Sequence, residues 1–232
     1  MKTLIKLAVV LAVPFFVVPS SALALSLADL SNKDASAGIK EALTQGVTKA
    51  VGSLGAADGF LGNPEVKIPL PGKLAKADSI LRMAGMGKQA DELVTAMNRA
   101  AEAAVPEAKP LLINAVKAMT VTDAKNILTG GDDSVTQFFK DKTSAQLTQK
   151  FLPIVKKHTA QVSLAQKYDQ IASKGLQLGL IKPEDAQIDN YVAREAIDGL
   201  YKMIGEEEKA IRANPLQAAG SMAKKVFGAL GK

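Results

Sequence analysis

The chain has 232 residues, of which 47% are hydrophobic and 4% aromatic, and it contains neither Cys nor Trp. This hydrophobic content is typical of a globular protein and excludes wholesale disorder, and the length suffices for one large domain or two small ones. The lack of Cys excludes disulfides and thiolate metal sites, whereas the formal net charge of +6 is too mild to indicate a partner.

The N-terminal residues predict a secretory signal peptide. Lys2 and Lys6 accompany an apolar run from Leu4 to Val18, and Ala22-Leu23-Ala24 offers a small-residue cleavage site. An uncleaved membrane anchor is the alternative, but the run is short for a span of about 20 residues and Pro14 interrupts it.

We therefore predict that residues 1–24 are cleaved after Ala24 and that residues 25–232 form a single domain in a bacterial periplasm. Cleavage removes two lysines and no acid, which lowers the net charge to +4. Export argues against nucleic acid as a partner.

The first helical pattern runs from about Ser36, a candidate cap, to Leu54. The pattern then disappears over 56–72, a stretch rich in Gly and Pro that we call the arm. Alternating apolar residues at 66–70 allow a short edge strand or an extended segment. The arm could grip a ligand, or it could pack Phe60, Leu61 and Ile68 across the bundle. The second interpretation is favoured because a soluble chain must bury such residues.

Residues 73–83 predict another helix, and a dense helical block follows at 91–133. Pro106 separates the first two helices of this block. Thr120 and Asp123 fit a capping box, and Gly130-Gly131 supplies a helix stop.

The remaining chain predicts a short helix at 134–140, a helix from Thr143 that Pro153 must kink or divide, a long helix at 190–213 and a tail helix at 221–230. The fold class is therefore all-α: a single-domain multi-helix bundle of about nine helices with the long arm near residues 56–72.

Several sequence runs together resemble one known family. They are GFLGNP at 59–64, KIPLP at 67–71, MNRAAE at 97–102, MTVTDAKNIL at 119–128, GGDDSVTQFF at 130–139, FLPIV at 151–155, IRANP at 211–215 and VFGAL at 226–230. The chain resembles the exported bacterial family known as domain of unknown function 4197 over nearly the whole mature sequence. The resemblance implies a mainly helical envelope protein and implies no activity, substrate or cofactor.

Few residues suggest chemistry. His158 is the only histidine, and Val155 stands where a di-iron bundle would need glutamate, so we interpret His158 as a solvated residue near a helix end. Gly130-Gly131-Asp132-Asp133 lacks the pattern of a calcium or phosphate loop and is better explained as a helix stop and cap. We predict no catalytic residues, no metal and no cofactor.

Two sets of polar residues remain as candidate sites. Asn98, Arg99 and Glu102 form a candidate polar cluster that could line a site, or could tie the central helix to the arm, which is the favoured interpretation. Lysines with a single acid among them form a candidate contact for an anionic surface: Lys140, Lys142, Lys150, Lys156 and Lys157. The tail helix could add an apolar foot at a membrane.

The first functional hypothesis is a non-enzymatic periplasmic protein that binds another protein, or an apolar small molecule or lipid, in the envelope. The second is a membrane-surface or lipid-binding protein that uses the lysines for peripheral contact with anionic membrane. An enzyme of unrecognised type comes third, because no nucleophile–base pair can be assembled from the sequence.

Overall fold

The computed structural model describes residues 31–72, 75, 78–131, 133–177, 186–214 and 220–230. The predicted signal peptide at 1–24, with its cleavage after Ala24, lies outside the described residues, as does Asp132. Within the described ranges every regular element is helical and no strand occurs, which confirms the all-α prediction; the expected number of about nine helices is close.

The helices are named in chain order: α1 Asn32–Leu54, α2 Asp78–Met83, α3 Gly87–Ala104, α4 Ala108–Ala118, α5 Val121–Thr129, α6 Ser134–Thr159, α7 Ser163–Gln177, α8 Ile188–Ala213 and α9 Ser221–Leu230. A single 3₁₀ turn, Val105–Glu107, joins α3 to α4 and contains Pro106, as expected for the residue that separates these helices. Buried hydrophobic residues from the described ranges form one core cluster.

Helix α1 packs against α8, α9, α5 and α4. It begins at Asn32, one turn before the start predicted at Ser36, because Ser31 is the cap: its Oγ accepts a hydrogen bond of 3.0 Å from the backbone N–H of Asp34. Ser36 is itself buried in the helix. The predicted start of α1 was wrong because either Ser31 or Ser36 fits the sequence pattern of a helix cap.

Helix α6 packs against α8, α3 and α4 and corrects another prediction. One helix, Ser134–Thr159, replaces the expected short helix at 134–140 and the separate helix from Thr143, and Pro153, expected to kink or divide that segment, does not divide it. Its buried residues recur every four positions from Val135 to Thr159, so tertiary packing of this stripe holds the helix together. Pro153 is exposed and cannot donate a backbone hydrogen bond to Gln149.

The capping box before α5 is confirmed. The Thr120 Oγ1 accepts from the Asp123 N–H at 3.1 Å, and the Asp123 carboxylate accepts from the Thr120 N–H at 2.9 Å. Gly130 ends α5, and Asp133 precedes α6 without a side-chain capping bond.

The tail helix α9 lies on α1, with Ala223, Val226 and Phe227 fully buried. A Cβ placed on Gly38 of α1 would come within 2.5 Å of the Val226 side chain, so this close approach requires glycine. The Glu41 carboxylate accepts a hydrogen bond from the Ala223 N–H at 2.8 Å, which satisfies a donor in the first turn of α9. The predicted apolar foot is therefore wrong for these three side chains, because α1 already covers them.

Candidate functional site

The predicted polar cluster holds the arm against α3. Asn98 is fully buried; its Oδ1 accepts from the Ile68 N–H at 2.8 Å, and its Nδ2 donates to the Ile68 carbonyl at 2.9 Å. Its carboxamide therefore pairs with the backbone of the arm as another peptide group would. No strand forms at 66–70: Val66 lies in a turn, its N–H and that of Lys67 donate to the Asn63 carbonyl, and the backbone of Ile68 pairs with the Asn98 side chain.

Glu102 and Arg99 bind the beginning of the arm. The Oε1 of the buried Glu102 accepts the N–H groups of Phe60 and Leu61, each at 3.1 Å, and its Oε2 pairs with Arg99 at 2.6 Å. Arg99 is 39% exposed and also pairs with Asp58 at 2.8 Å. Hydrogen bonds from Glu102 and then Asp58 raise the pKa of Arg99 further above its ordinary range.

Helix α8 secures the other side of the arm. The Tyr191 hydroxyl donates to the Pro69 carbonyl at 3.1 Å, and the Lys202 ammonium pairs with the Glu65 carboxylate at 2.6 Å. Gly199 permits the close contact, since a Cβ there would lie 3.1 Å from the ring of Phe60. Phe60 and Ile68 are buried and Leu61 is half-buried, so the arm packs across the bundle and the polar cluster acts as a clasp between the arm and α3.

The five predicted lysines are all exposed on α6, and four of them lie on one side of the helix. Lys157 follows Lys150 by about two helical turns and therefore lies on the same face, and Lys142 and Lys156 fall within the same third of the circumference. Lys140 lies outside this third. His158 is exposed in the last turn of α6, as predicted.

A groove runs along α6 on the side of Lys142 and Lys150, facing α4 and α5. It consists of three depressions of about 480, 320 and 310 Å³ that share lining residues in succession. Leu111 and Gln146 join the first depression to the second, and Asp123, Phe138 and Lys142 join the second to the third. Lining residues on α6 extend from Ser134 to Pro153, which corresponds to a length of about 28 Å at 1.5 Å per residue.

Carboxamides are the commonest polar side chains that line this groove. They belong to Asn114, Asn126, Gln137, Gln146 and Gln149. Gln137 donates to the Asp141 carboxylate at 2.6 Å. The other four are exposed, and no described residue bonds to their side chains.

The charges of the groove differ between its two ends. Asp123 and Asp141 lie with Lys142 at one end, whereas Lys150 is the one charged residue among the described residues that line the depression at the other. Asp123 is engaged in the capping box, and hydrogen bonds from Thr120, with a smaller contribution from Lys142, hold its pKa below the ordinary value of 3.8. The groove therefore offers free amide groups between an acidic end and a basic end.

The sequence analysis missed this groove and a second buried ion pair. Arg212 on α8 pairs with the buried Glu208, donates to the Ile127 carbonyl at 2.7 Å, and lies over the Phe227 ring at 5.6 Å. The four-residue spacing of Glu208 and Arg212 was the available signal. No sequence signal indicated the groove, since its walls come from three different helices.

The described residues contain no group of three acidic or histidine side chains arranged to hold a metal ion. None of the helices in the described ranges is long and apolar enough to span a bilayer.

Comparison with known families matches residues 29–228 to the family described as protein of unknown function DUF4197. The chain belongs to this family. The match covers nearly the whole chain and confirms the resemblance read from its sequence runs, and the description of the family states no activity, ligand or partner. The comparisons found no match among curated proteins or solved structures.

Proposed function

We propose that this member of the DUF4197 family is a non-enzymatic binding protein of the cell envelope, and that its binding surface is the groove along α6. The observation that carries the proposal is the groove itself, which is about 28 Å long and open to solvent. Four of the carboxamide side chains that line it make no hydrogen bond to any described residue. Periplasmic location is part of the proposal and derives from the signal peptide predicted at 1–24.

The groove supports binding of an elongated partner better than it supports a carrier of an apolar small molecule. Small-molecule sites are mostly apolar and enclose the greater part of their ligand. Here polar residues are mixed with apolar ones along a channel that is open to solvent and would enclose a small ligand poorly, and Phe138, the one aromatic residue among the described lining residues, is itself buried in the core.

A membrane-surface role receives less support. Two of the lysines proposed for anionic contact, Lys142 and Lys150, line the groove, and Lys140 lies on another side of α6, so a planar surface could meet only some of the five at once. Binding of an amphipathic helix to lipid requires an exposed apolar face, and α9 uses Val226 and Phe227 to pack on α1.

Site-specific photo-crosslinking in the native host tests the proposal. A photoreactive amino acid replaces Gln146 in the groove or, as a matched control, Gln161, an exposed glutamine in the turn between α6 and α7. We expect an adduct from position 146 and none from position 161. Absence of an adduct at 146, or equal adducts at both positions, would refute the groove as the binding surface.

The intact mass of the purified protein tests the location in the same experiment. The periplasmic fraction should contain a chain that starts at Leu25. A full-length chain in the cytoplasmic fraction would contradict the envelope assignment.

A further inference from the structure

The dimensions of the groove fit one class of occupant, and the following inference rests on the function proposed above. We infer that the groove binds an extended polypeptide segment of about eight residues. At about 3.4 Å per residue, such a segment matches the 28 Å of α6 that lines the groove.

Carboxamide side chains are suited to an extended peptide. Each one has a donor and an acceptor, as each backbone peptide group has, so one Asn or Gln can pair with a peptide unit in both directions. The clasp shows this pairing within the same protein, where Asn98 bonds both backbone groups of Ile68. Gln146 and Gln149 on α6 and Asn114 on α4 can make the same contact from the two walls.

A peptide also fits better than a glycan does. Sugar rings commonly pack their apolar face on an exposed aromatic ring, and the one aromatic residue of the groove, Phe138, is only 8% exposed. Small apolar patches remain on the α4 wall at Leu111, Ala115 and Ala118, and these can receive alternate side chains of an extended chain.

The charges of the groove set the direction of the segment. The Lys150 end favours an acidic side chain or a C-terminal carboxylate, whereas the end with Asp123 and Asp141 favours a basic side chain. Because the two ends differ in sign, only one orientation of a dipolar peptide places both charges opposite their complements.

Selection from a library of random twelve-residue peptides displayed on phage, followed by fluorescence anisotropy with the mature protein, tests this inference. Selected peptides should carry an acidic residue near one end. Gln146→Ala should weaken their binding about 3- to 10-fold, as expected for one hydrogen bond, while the control Gln161→Ala should leave it unchanged.

Charge reversal gives a second matched pair. Lys150→Glu should weaken binding about 10-fold at low salt and less at high salt, whereas Lys140→Glu, the same change at an exposed lysine of α6 that lines none of the three depressions, should alter it less than twofold. Failure to select any peptide, or equal losses from both members of either pair, would overturn the inference.

The photo-crosslinking experiment separates the two proposals. A glycan or lipid adduct at position 146 would refute the peptide occupant and leave the binding function standing. Soluble chitohexaose and vesicles containing phosphatidylglycerol serve as probes for those outcomes, and binding of either one that depends on Gln146 would also overturn the peptide inference. No adduct at position 146 would overturn both proposals.

Discussion

Replacement of Asn98 by alanine should destabilise the protein by releasing the arm from α3. The substitution removes the bonding partner of both backbone groups of Ile68, which are buried, and a buried backbone group without a partner costs about 1–3 kcal/mol. The arm can relax and admit water, so we expect a total loss of about 2–4 kcal/mol in the free energy of unfolding. At about 3 °C per kcal/mol for a protein of this size, the melting temperature should fall by about 6–12 °C.

Urea unfolding of the mature protein, followed by far-ultraviolet circular dichroism, measures this loss, and hydrogen exchange locates it. The Ile68 amide should exchange faster in the variant, and the urea slope should stay the same. Asn114→Ala is the matched control, because Asn114 is exposed and should change stability by less than about 0.5 kcal/mol. An equally small loss for Asn98→Ala, with unchanged exchange at Ile68, would refute the clasp.

Three further predictions concern buried groups. Arg212→Ala should cost about 1–3 kcal/mol in urea unfolding because the buried Glu208 loses its ion pair with Arg212; a loss near zero would contradict this. Burial, and to a smaller extent Asp189, raises the pKa of Asp169 above 3.8, so the folded state favours the protonated form of this side chain more than the unfolded state does. Relative to Asp169→Asn, the wild type should therefore gain stability as the pH falls from 7 towards 4, and parallel profiles of stability against pH would refute this. Burial raises the pKa of Tyr201 to about 12, so the unfolded state ionises first and the stability of the fold decreases as the pH rises above about 10; Tyr201→Phe should remove a step near pH 12 from a spectrophotometric titration of tyrosine.

Local sequence patterns predicted the features that depend on neighbouring residues. The capping box of Thr120 and Asp123 joins residues three positions apart, and the glycine that ends α5 acts within one turn. Helix boundaries failed where two local signals competed, as at Ser31 and Ser36, or where packing outweighed a local breaker, as at Pro153 within α6.

The polar cluster was predicted in part. Its spacing on one helix indicated local pairing, and Arg99 with Glu102 does pair three positions apart. The partners in the arm lie 30 residues away for Asn98 and 41 to 42 residues away for Glu102, and no periodicity links them.

The sequence by itself determined the helical class, the principal caps and stops, the position of the arm and the family, because these depend on short-range periodicity and on contiguous sequence runs. Only the tertiary structure decided which residues meet across the bundle. Asn98 became a clasp because the arm returns to α3, and Lys142 and Lys150 became part of a groove because α4 and α5 approach one flank of α6. The groove exists where packed helices leave a surface between them uncovered, and the order of residues in one segment does not encode such a surface.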